Sequence, residues 1–262
     1  MGILTEEAWN QLFGFRNEIY TYDAFIYAAA RYPAFCNSRA DEGEETLTYD
    51  EACQRELAAI LSHMIEDTNS QKRLEAPSFG TGLANVLDQE CDRGNSDFLE
   101  RRQDCVQVNP SLSLFVPNDD QKEFFGRGAM NLKGNINYGR FSKAYYSWRP
   151  DGQHVLLDNP ELISQIGQPG SGLLAFASAF WQYMTPRGVN PSPHDVMIRR
   201  FVPNDADSKA SITQGFGTTI NILYGEAECG RGQGKETPEA ARRATYYTLG
   251  LAKVGVQEPP FE

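Results

Sequence analysis

The sequence predicts a mainly α protein folded as a single domain over its 262 residues. The segments 49–67 and 240–253 carry apolar residues at the three- and four-residue intervals of amphipathic helices. A third segment, Leu173–Met184, is apolar nearly all round, which is typical of a buried helix. No internal repeat, low-complexity linker or clear domain boundary divides the sequence, so we expect one core.

The first predicted helix is NEIYTYDAFIYAAARYP, from Asn17 to Pro33, where the proline marks its end. Its helical spacing is carried by Tyr20, Ala24, Tyr27 and Ala28. A polar, acidic loop follows from Asn37 to Thr48, and a second helix runs from about Tyr49 to Asp67. The apolar face of this second helix consists of Leu57, Ile60, Leu61 and Met64.

The rest of the chain is predicted to alternate helices with polar loops. Leu83, Val86 and Leu87 predict a third helix that ends near Glu90, and a polar loop follows between Cys91 and Phe124. After the buried helix at Leu173–Met184 come a loop from Pro186 to Pro193 and a last amphipathic helix from Ala240 to Lys253.

Composition and charge restrict the classes of function. Apolar residues make up 40% and charged residues 23% of the chain, as in ordinary soluble globular proteins. The net charge of −11 repels nucleic acid and anionic membrane surfaces, and no apolar run approaches the roughly 20 residues of a membrane span. We therefore expect neither nucleic acid nor a membrane as a partner. The start, MGILTEEAWNQLF, lacks a signal-peptide pattern, so either the protein stays inside the cell or a leader has been removed.

The five cysteines leave two interpretations open. Cys36 with Cys53, and Cys91 with Cys105, each enclose a short loop that a disulfide could close, which leaves Cys229 as the odd one. Alternatively, all five are reduced thiols of a cytosolic protein.

The segment Phe124–Gly139, FFGRGAMNLKGNINYG, combines four glycines and three asparagines in sixteen residues. Glycines let the backbone approach a ligand closely, and asparagine amides offer donors and acceptors without charge. This composition suits a neutral ligand rich in hydroxyl and amide groups, such as a sugar chain. The alternative interpretation is a turn-rich surface loop.

Other signals for a catalytic or metal site are weak. His63, His154 and His194 lack the spacing of metal ligands, and we expect no metal and no cofactor. The segment GRGQGK departs from a phosphate loop, which needs glycine and a hydroxyl where Cys229 and Glu236 stand. Carboxylates remain, because two acidic residues flanking a cleft are what sugar hydrolysis requires.

Six blocks of sequence together are more specific than any one motif. They cover the chain from about 20 to 256 and read, in order, YTYDAFIYAAARYPAF, RELAAILSHMIEDT, FFGRGAMNLKGNINYG, LLAFASAFWQYMTP, PSPHDV and GFGTTINILYGEAECG. In these blocks the chain resembles the family 19 glycoside hydrolases, the chitinases with a lysozyme-like fold. The resemblance implies a two-lobed, mainly helical domain with a small β element and a central sugar-binding cleft.

The resemblance also implies positions for an inverting hydrolysis. In the family, a glutamate in an H-E-T block protonates the leaving oxygen, and a second glutamate activates a water. The block reads E-D-T here, so Asp67 stands at the acid position and Glu66 where the histidine would be. Glu90, in LDQECD, matches the second glutamate.

Helical geometry separates the two acidic neighbours. At about 100° per residue, Asp67 lies roughly 70° from the centre of the apolar face, at its edge, and Glu66 lies roughly 170° away. We therefore expect Glu66 to face solvent, and Asp67 to keep an acid with one methylene less reach.

The water and sugar positions also depart from the family. Lys133 stands where a serine or threonine holds the water, and its ammonium has no acceptor and would pair with a nearby carboxylate. Tyr224 stands where a sugar-binding asparagine is common, and Glu228 is retained. The candidate substrate-binding residues implied by the resemblance are Asn131, Lys133, Asn137, Tyr224 and Glu228. Arg242 or Arg243 is the expected basic partner of Glu228.

These departures fall on acid, water and substrate positions while the scaffold blocks persist. The sequence therefore predicts a chitinase-like protein that recognises β-1,4-linked N-acetylglucosamine chains with weak or lost inverting hydrolysis. The alternatives are an active endochitinase that uses Asp67 and Glu90, and a non-catalytic structural or interaction protein.

By resemblance we expect an extracellular, disulfide-bonded protein. Cys91 with Cys105 is similar to a loop bridge of the family. The usual partner of Cys229 is missing from the last helix, so this cysteine is expected not to be bridged within the chain, or to engage a partner chain.

Overall fold

The computed structural model describes residues 2–39, 47–70, 78–88, 115–118, 122–168, 170–229 and 237–254. Over these ranges it is mostly helical, which confirms the predicted fold class. The predictions for Glu90, Cys91 and Cys105 lie outside the described residues. Inside them, β structure consists of isolated bridges, which join Leu87 to Arg127, Arg127 to Leu132 and Arg187 to Asn190.

Ten α-helices lie within the described residues. In order, they are α1 (Glu6–Leu12), α2 (Tyr22–Ala29), α3 (Tyr49–Thr68), α4 (Asn135–Tyr145), α5 (Val155–Asp158), α6 (Ser171–Met184), α7 (Pro193–Met197), α8 (Asp205–Lys209), α9 (Phe216–Glu228) and α10 (Pro238–Val254). Short 3₁₀ turns lie at Phe79–Thr81, Gly152–His154 and Pro160–Ile163. Pro193, predicted to end a loop, is the first residue of α7, a position that suits its fixed φ.

Helix α3 is the central element of the fold. Thr48 and Glu51 form a capping box that fixes its start, and every residue from 55 to 69 is buried. Helix α10 packs along α3 on the side away from the apolar face seen in the sequence. The expectation that Glu66 faces solvent is therefore wrong. Its side chain is 2% exposed and is neutralised by Arg242 of α10.

An aromatic core joins α1, α2 and α6. The ring of Trp9 lies 4.9 Å from that of Phe25 and 5.8 Å from that of Phe176, with centroid distances in the range of favourable ring pairs. The predicted buried helix at Leu173–Met184 is α6, which begins two residues earlier, at Ser171. This core holds α6 against the N-terminal helices.

Two predicted helices differ from the observed structure. The first begins at Tyr22 and not near Asn17, because the hydroxyl oxygen of Thr21 caps it by accepting a hydrogen bond from the backbone of Ala24. The helix predicted around Leu83 is absent from residues 82–88. There, Leu83 has a left-handed φ of +56°, and the backbone N–H of Asp88 donates to the carbonyl of Gly126, so the segment pairs with residues around Arg127 and not with its own preceding turn.

The segment Phe124–Gly139 is an internal support, so the surface-loop interpretation is wrong. Residues 123–130 are all buried, and the guanidinium of Arg127 lies 3.7 Å from the ring centre of Phe125 and donates to Tyr138. A side chain at Gly128, whose φ is +78°, would meet Ile163 at 2.8 Å. The glycine there serves close packing, and the segment leads into α4.

None of the helices in the described ranges is long and apolar enough to cross a membrane.

Candidate functional site

Four side chains from α3, α9 and α10 form a cluster in which three are buried and Tyr224 is half-buried. We call it the carboxylate cluster: Asp67, Tyr224, Glu228 and Arg243. Arg243 donates from Nη2 to Oδ1 of Asp67 at 2.6 Å, and from Nε and Nη2 to the two oxygens of Glu228 at 2.9 Å each. The hydroxyl of Tyr224 donates to Oδ2 of Asp67 at 2.8 Å. Both oxygens of Asp67 therefore accept hydrogen bonds from within the cluster.

The cluster holds Arg243 charged and Tyr224 neutral. Burial disfavours the guanidinium charge, but Asp67 and Glu228 outweigh it, and the pKa of Arg243 lies well above its ordinary value. Burial is also the main reason that the pKa of Tyr224 is raised well above its usual range. The guanidinium carbon of Arg243 lies 3.6 Å from the centre of the Tyr224 ring, so stacking adds to these contacts.

His63 lies beneath the cluster on α3, with its ring 5.6 Å from that of Tyr224. Its Nε2 is 2.9 Å from the hydroxyl oxygen of Thr219. That hydroxyl donates to the carbonyl of Phe216, so its oxygen accepts from His63 and Nε2 carries the hydrogen. Burial, with further contributions from Arg243 and Arg187, lowers the pKa of His63 well below its ordinary value. The ring is a neutral support.

A second ion pair lies beside the cluster. Arg242 donates to both oxygens of Glu66, at 2.7 Å from Nη2 and 3.0 Å from Nε, in the two-pronged geometry that suits arginine and carboxylate. Burial raises the pKa of Glu66, although Arg242 opposes the shift. The sequence left Arg242 and Arg243 open as partners of Glu228. The structure assigns Glu228 to Arg243 and Arg242 to Glu66.

Lys133 forms an ion pair at the edge of the fold. Its ammonium lies 2.9 Å from Oδ2 of Asp88, with 47% of the lysine side chain and 14% of the aspartate side chain exposed. The predicted pairing of Lys133 with a nearby carboxylate is thus observed. That carboxylate belongs to Asp88, two residues before Glu90 in the sequence. Asn137 donates from its amide to the backbone oxygen of Lys133 at 2.9 Å.

Asn131 connects this edge to the carboxylate cluster. Its amide nitrogen donates to the backbone oxygen of Asp67 at 2.9 Å, across a sequence separation of 64 residues. The φ of Asn131 is +39°, a left-handed value that asparagine tolerates better than most residues. The residue therefore fixes the backbone that carries Asp67.

The structure brings most predicted site residues to two neighbouring places. Asp67, Tyr224 and Glu228 meet at Arg243, while Lys133 and Asn137 meet beside Asp88. Sequence reasoning missed His63 and Asp88 as members of this region. The acidic run around Glu90 was a signal for Asp88, whereas the role of His63 depends on a contact with α9 that no local pattern shows.

The disulfide between Cys36 and Cys53 is formed, with a Cα–Cα distance of 4.1 Å. It ties the loop before α3 to the first turns of that helix. Cys229 is half-buried at the C-terminal cap of α9, and its engagement with a partner chain remains a prediction. In the described parts of the chain, no group of three or more His, Cys, Asp or Glu residues could hold a metal ion.

Comparison with known proteins places these features in a family. The Glyco_hydro_19 family model, described as chitinase class I, matches residues 3–258. The chain is 33% identical over 237 residues to Endochitinase 1 of Theobroma cacao, covering 88% of this chain and 63% of that protein. It is 32% identical over 243 residues to Endochitinase 2 of Gossypium hirsutum, covering 88% and 68%. The chain thus spans only about 63% of the length of the first relative.

Solved structures show the same fold. Chitinase C from Streptomyces griseus HUT6037 superposes with a TM-score of 0.67 at 23% identity, covering 99% of this chain and 79% of that one. A class IV chitinase from Zea mays superposes with a TM-score of 0.64 at 18% identity, covering 99% and 96%. At these identities the likeness concerns the architecture alone.

Proposed function

The chain belongs to glycoside hydrolase family 19, described as chitinase class I, and from that premise we propose that it recognises β-1,4-linked N-acetylglucosamine chains with weak or lost inverting hydrolysis. The family and the fold support the substrate class. The altered chemistry is proposed from the arrangement of the cluster and of its neighbours.

The observation that carries the proposal is the state of the Asp67 carboxylate. A general acid must present a proton within hydrogen-bond reach of the leaving oxygen. In this chain Oδ1 accepts from Arg243 and Oδ2 accepts from Tyr224, and the whole residue is 7% exposed. Both oxygens are therefore engaged as acceptors inside the cluster, which leaves neither of them placed to donate a proton. An aspartate is also one methylene shorter than a glutamate, so it reaches less far out of the helix.

Lys133 supports the same conclusion on the water side of the reaction. A nucleophilic water must be held by a group that accepts one of its hydrogens, and an ammonium only donates. The Lys133 ammonium is paired with Asp88, beside the segment that contains Glu90. We propose that this ion pair weakens the activation of water by Glu90, the base in any residual hydrolysis.

The remaining site residues receive roles in binding and positioning. Asn131 fixes the Asp67 backbone, and Glu228 fixes the Arg243 guanidinium. Asn137, at the start of α4, and Tyr224 are the proposed sugar contacts.

The test is a parallel measurement of binding and turnover with a chitin hexamer. We expect calorimetry to detect binding, while chromatography that resolves the product anomers detects little or no product. Fast turnover with inversion would establish the active endochitinase instead. Absence of both binding and turnover would leave the structural or interaction protein.

We further propose an extracellular or similarly oxidising compartment. The Cys36–Cys53 disulfide supports this, because such bonds persist in secreted proteins and are rare in the cytosol. Detection of the chain in the secreted fraction of its source cells, with this bond intact, would test the proposal.

A further inference from the structure

A pocket lies at the far end of α4 from Lys133 and Asn137. It has a volume of about 330 Å³ and is formed by the end of α4, the start of α6 and the segments that flank them. Its walls include Tyr145, Tyr146 and Trp148 but no member of the carboxylate cluster. Helix α4 rises about 1.5 Å per residue, so its length separates this pocket from Lys133 by roughly 16 Å.

Three aromatic side chains form one wall of the pocket. Rings of Tyr145 and Tyr146 lie 4.9 Å apart, and those of Tyr146 and Trp148 lie 5.6 Å apart, both edge to face. Trp148 is 65% exposed, which is unusual for so large an apolar side chain. An exposed aromatic at the mouth of a concave site is a feature of binding sites, because one face stays available for a ligand.

Contacts with Arg31 and Phe141 hold the aromatic wall in place. The guanidinium of Arg31 lies 4.5 Å from the centre of the Tyr145 ring, in cation–π geometry. Tyr145 also packs against Phe141, which is buried. The aromatic rings are thus held before any ligand arrives, so little side-chain entropy is lost on binding.

Uncharged polar groups also line the pocket. Gln165 and Gln168 face the pocket, and neither side-chain amide has a hydrogen-bond partner among the described residues. Among the described residues, Arg31 is the one charged residue of the lining, and no carboxylate lines the pocket. Aromatic ring faces together with amide donors and acceptors suit a neutral ligand with an apolar ring face and polar edges. A pyranose that carries an acetamide has this chemistry.

We propose that this pocket is a second carbohydrate site, which holds a β-1,4-linked N-acetylglucosamine chain on the Trp148 wall, away from the carboxylate cluster. The choice of this sugar rests on the proposed function, whereas the existence of the site rests on the pocket. Two sites on one chain would keep the protein on a polymer by raising the effective concentration of the second contact.

The experiment uses Trp148 as its own reporter. Trp9 is fully buried and Trp181 is half-buried, so acrylamide quenching of the fluorescence of the whole protein reports mainly on Trp148. We expect a chitin hexamer to protect this fluorescence from quenching. Calorimetry should show two binding components, one of which weakens about tenfold in Trp148→Ala, as for the loss of an aromatic anchor. Trp148→Phe should retain that component.

Matched variants separate this site from the cleft. Phe15→Ala removes another exposed aromatic, 78% exposed and outside the pocket, and should change neither component. Asn137→Ala should weaken only the other component, which belongs to the proposed cleft. If Trp148→Ala leaves both components unchanged, the second site is wrong and the proposed function stands. If only the component sensitive to Trp148 exists, the second site stands and the proposed cleft is wrong. No binding of the hexamer overturns both.

A cello-hexamer tests the choice of sugar, because it has the same linkage without acetamide groups. Equal binding of the two hexamers at the Trp148 site would overturn the assignment to N-acetylglucosamine.

Discussion

The Tyr224 hydroxyl changes what Asp67 is able to do. It donates to Oδ2, the oxygen of Asp67 that is not bonded to Arg243. The two donors together therefore use both oxygens of a side chain that is already short. A side chain longer by one methylene at position 67 would place its carboxyl away from these two donors. A hydroxyl at position 133 would restore an acceptor for water. Both changes are single-residue changes in a scaffold that otherwise persists.

We expect the double variant Asp67→Glu with Lys133→Ser to hydrolyse a chitin hexamer faster than the unaltered protein. The gain should be on the order of a hundredfold, since a misplacement of about 1 Å in a catalytic group costs that much. Product formation with anomer analysis measures it, and Lys143→Ser on the exposed side of α4 controls for the loss of a lysine. No gain in the double variant would contradict the roles given to these two positions.

Arg243 is the residue on which the stability of the cluster depends. Arg243→Met leaves Asp67 and Glu228 buried without their shared cation, so we expect a loss of about 3–5 kcal/mol in the free energy of unfolding. Urea denaturation measures the loss. The triple variant that adds Asp67→Asn and Glu228→Gln should recover much of it, because no unpaired carboxylate remains. A triple variant as unstable as Arg243→Met would show that packing of the guanidinium, and not charge, is the main contribution.

At the scale of elements, the packing of α3 against α9 makes stability depend on pH through His63. The folded protein holds this ring neutral, with a lowered pKa, whereas the unfolded chain protonates it near its ordinary value of about 6.5. Protons therefore favour the unfolded state. Stability is intact above about pH 6.5 and falls as the pH drops below it, towards the folded-state pKa.

We expect the protonation of His63 in the unfolded chain to reduce the free energy of unfolding by on the order of 1 kcal/mol between pH 7.5 and pH 5.5. The variant His63→Gln keeps an amide able to reach Thr219 and does not titrate, so its stability should fall by that much less over the same interval. Urea denaturation of both proteins at the two pH values gives the difference directly. Equal pH dependence in the two proteins would show that the ring takes up a proton as readily in the folded state as in the unfolded chain.

The helices were predictable from sequence to different degrees. The α3 and α10 helices carry long periodic patterns, and their observed bounds lie within two residues of those predicted. The helix predicted around Leu83 is wrong because this segment pairs with residues around Arg127, which are distant in the sequence. The prediction that Glu66 faces solvent is wrong for a related reason. A helical wheel identifies one apolar face, but it does not show that α10 covers the opposite one.

At the scale of the whole molecule, the candidate site exists because remote segments converge on α3. Asp67 bonds to Tyr224 across 157 residues and to Arg243 across 176 residues. The family resemblance indicated Asp67, Tyr224 and Glu228 as candidate residues, because the blocks that carry them are ordered along the chain. It did not predict that a tyrosine hydroxyl and a guanidinium would divide the two oxygens of one carboxylate. That arrangement depends on the packing of three helices and not on any one of them.

Covalent bonds within the chain also stabilise the packing of remote segments against α3, and the disulfide at the start of α3 is one of them. Cys36 and Cys53 are 17 residues apart, so the entropy of loop closure predicts that the bond contributes about 3 kcal/mol. The variant Cys36→Ala with Cys53→Ala should lose that much stability in urea denaturation under oxidising conditions.

The response of this double variant to reductant reports on the other predicted bridge. If Cys91 and Cys105 are joined, reduction destabilises the variant again, and alkylation of the unfolded, unreduced variant labels one cysteine. Labelling of three cysteines, with no response to reductant, would show that the Cys36–Cys53 bond is the only one.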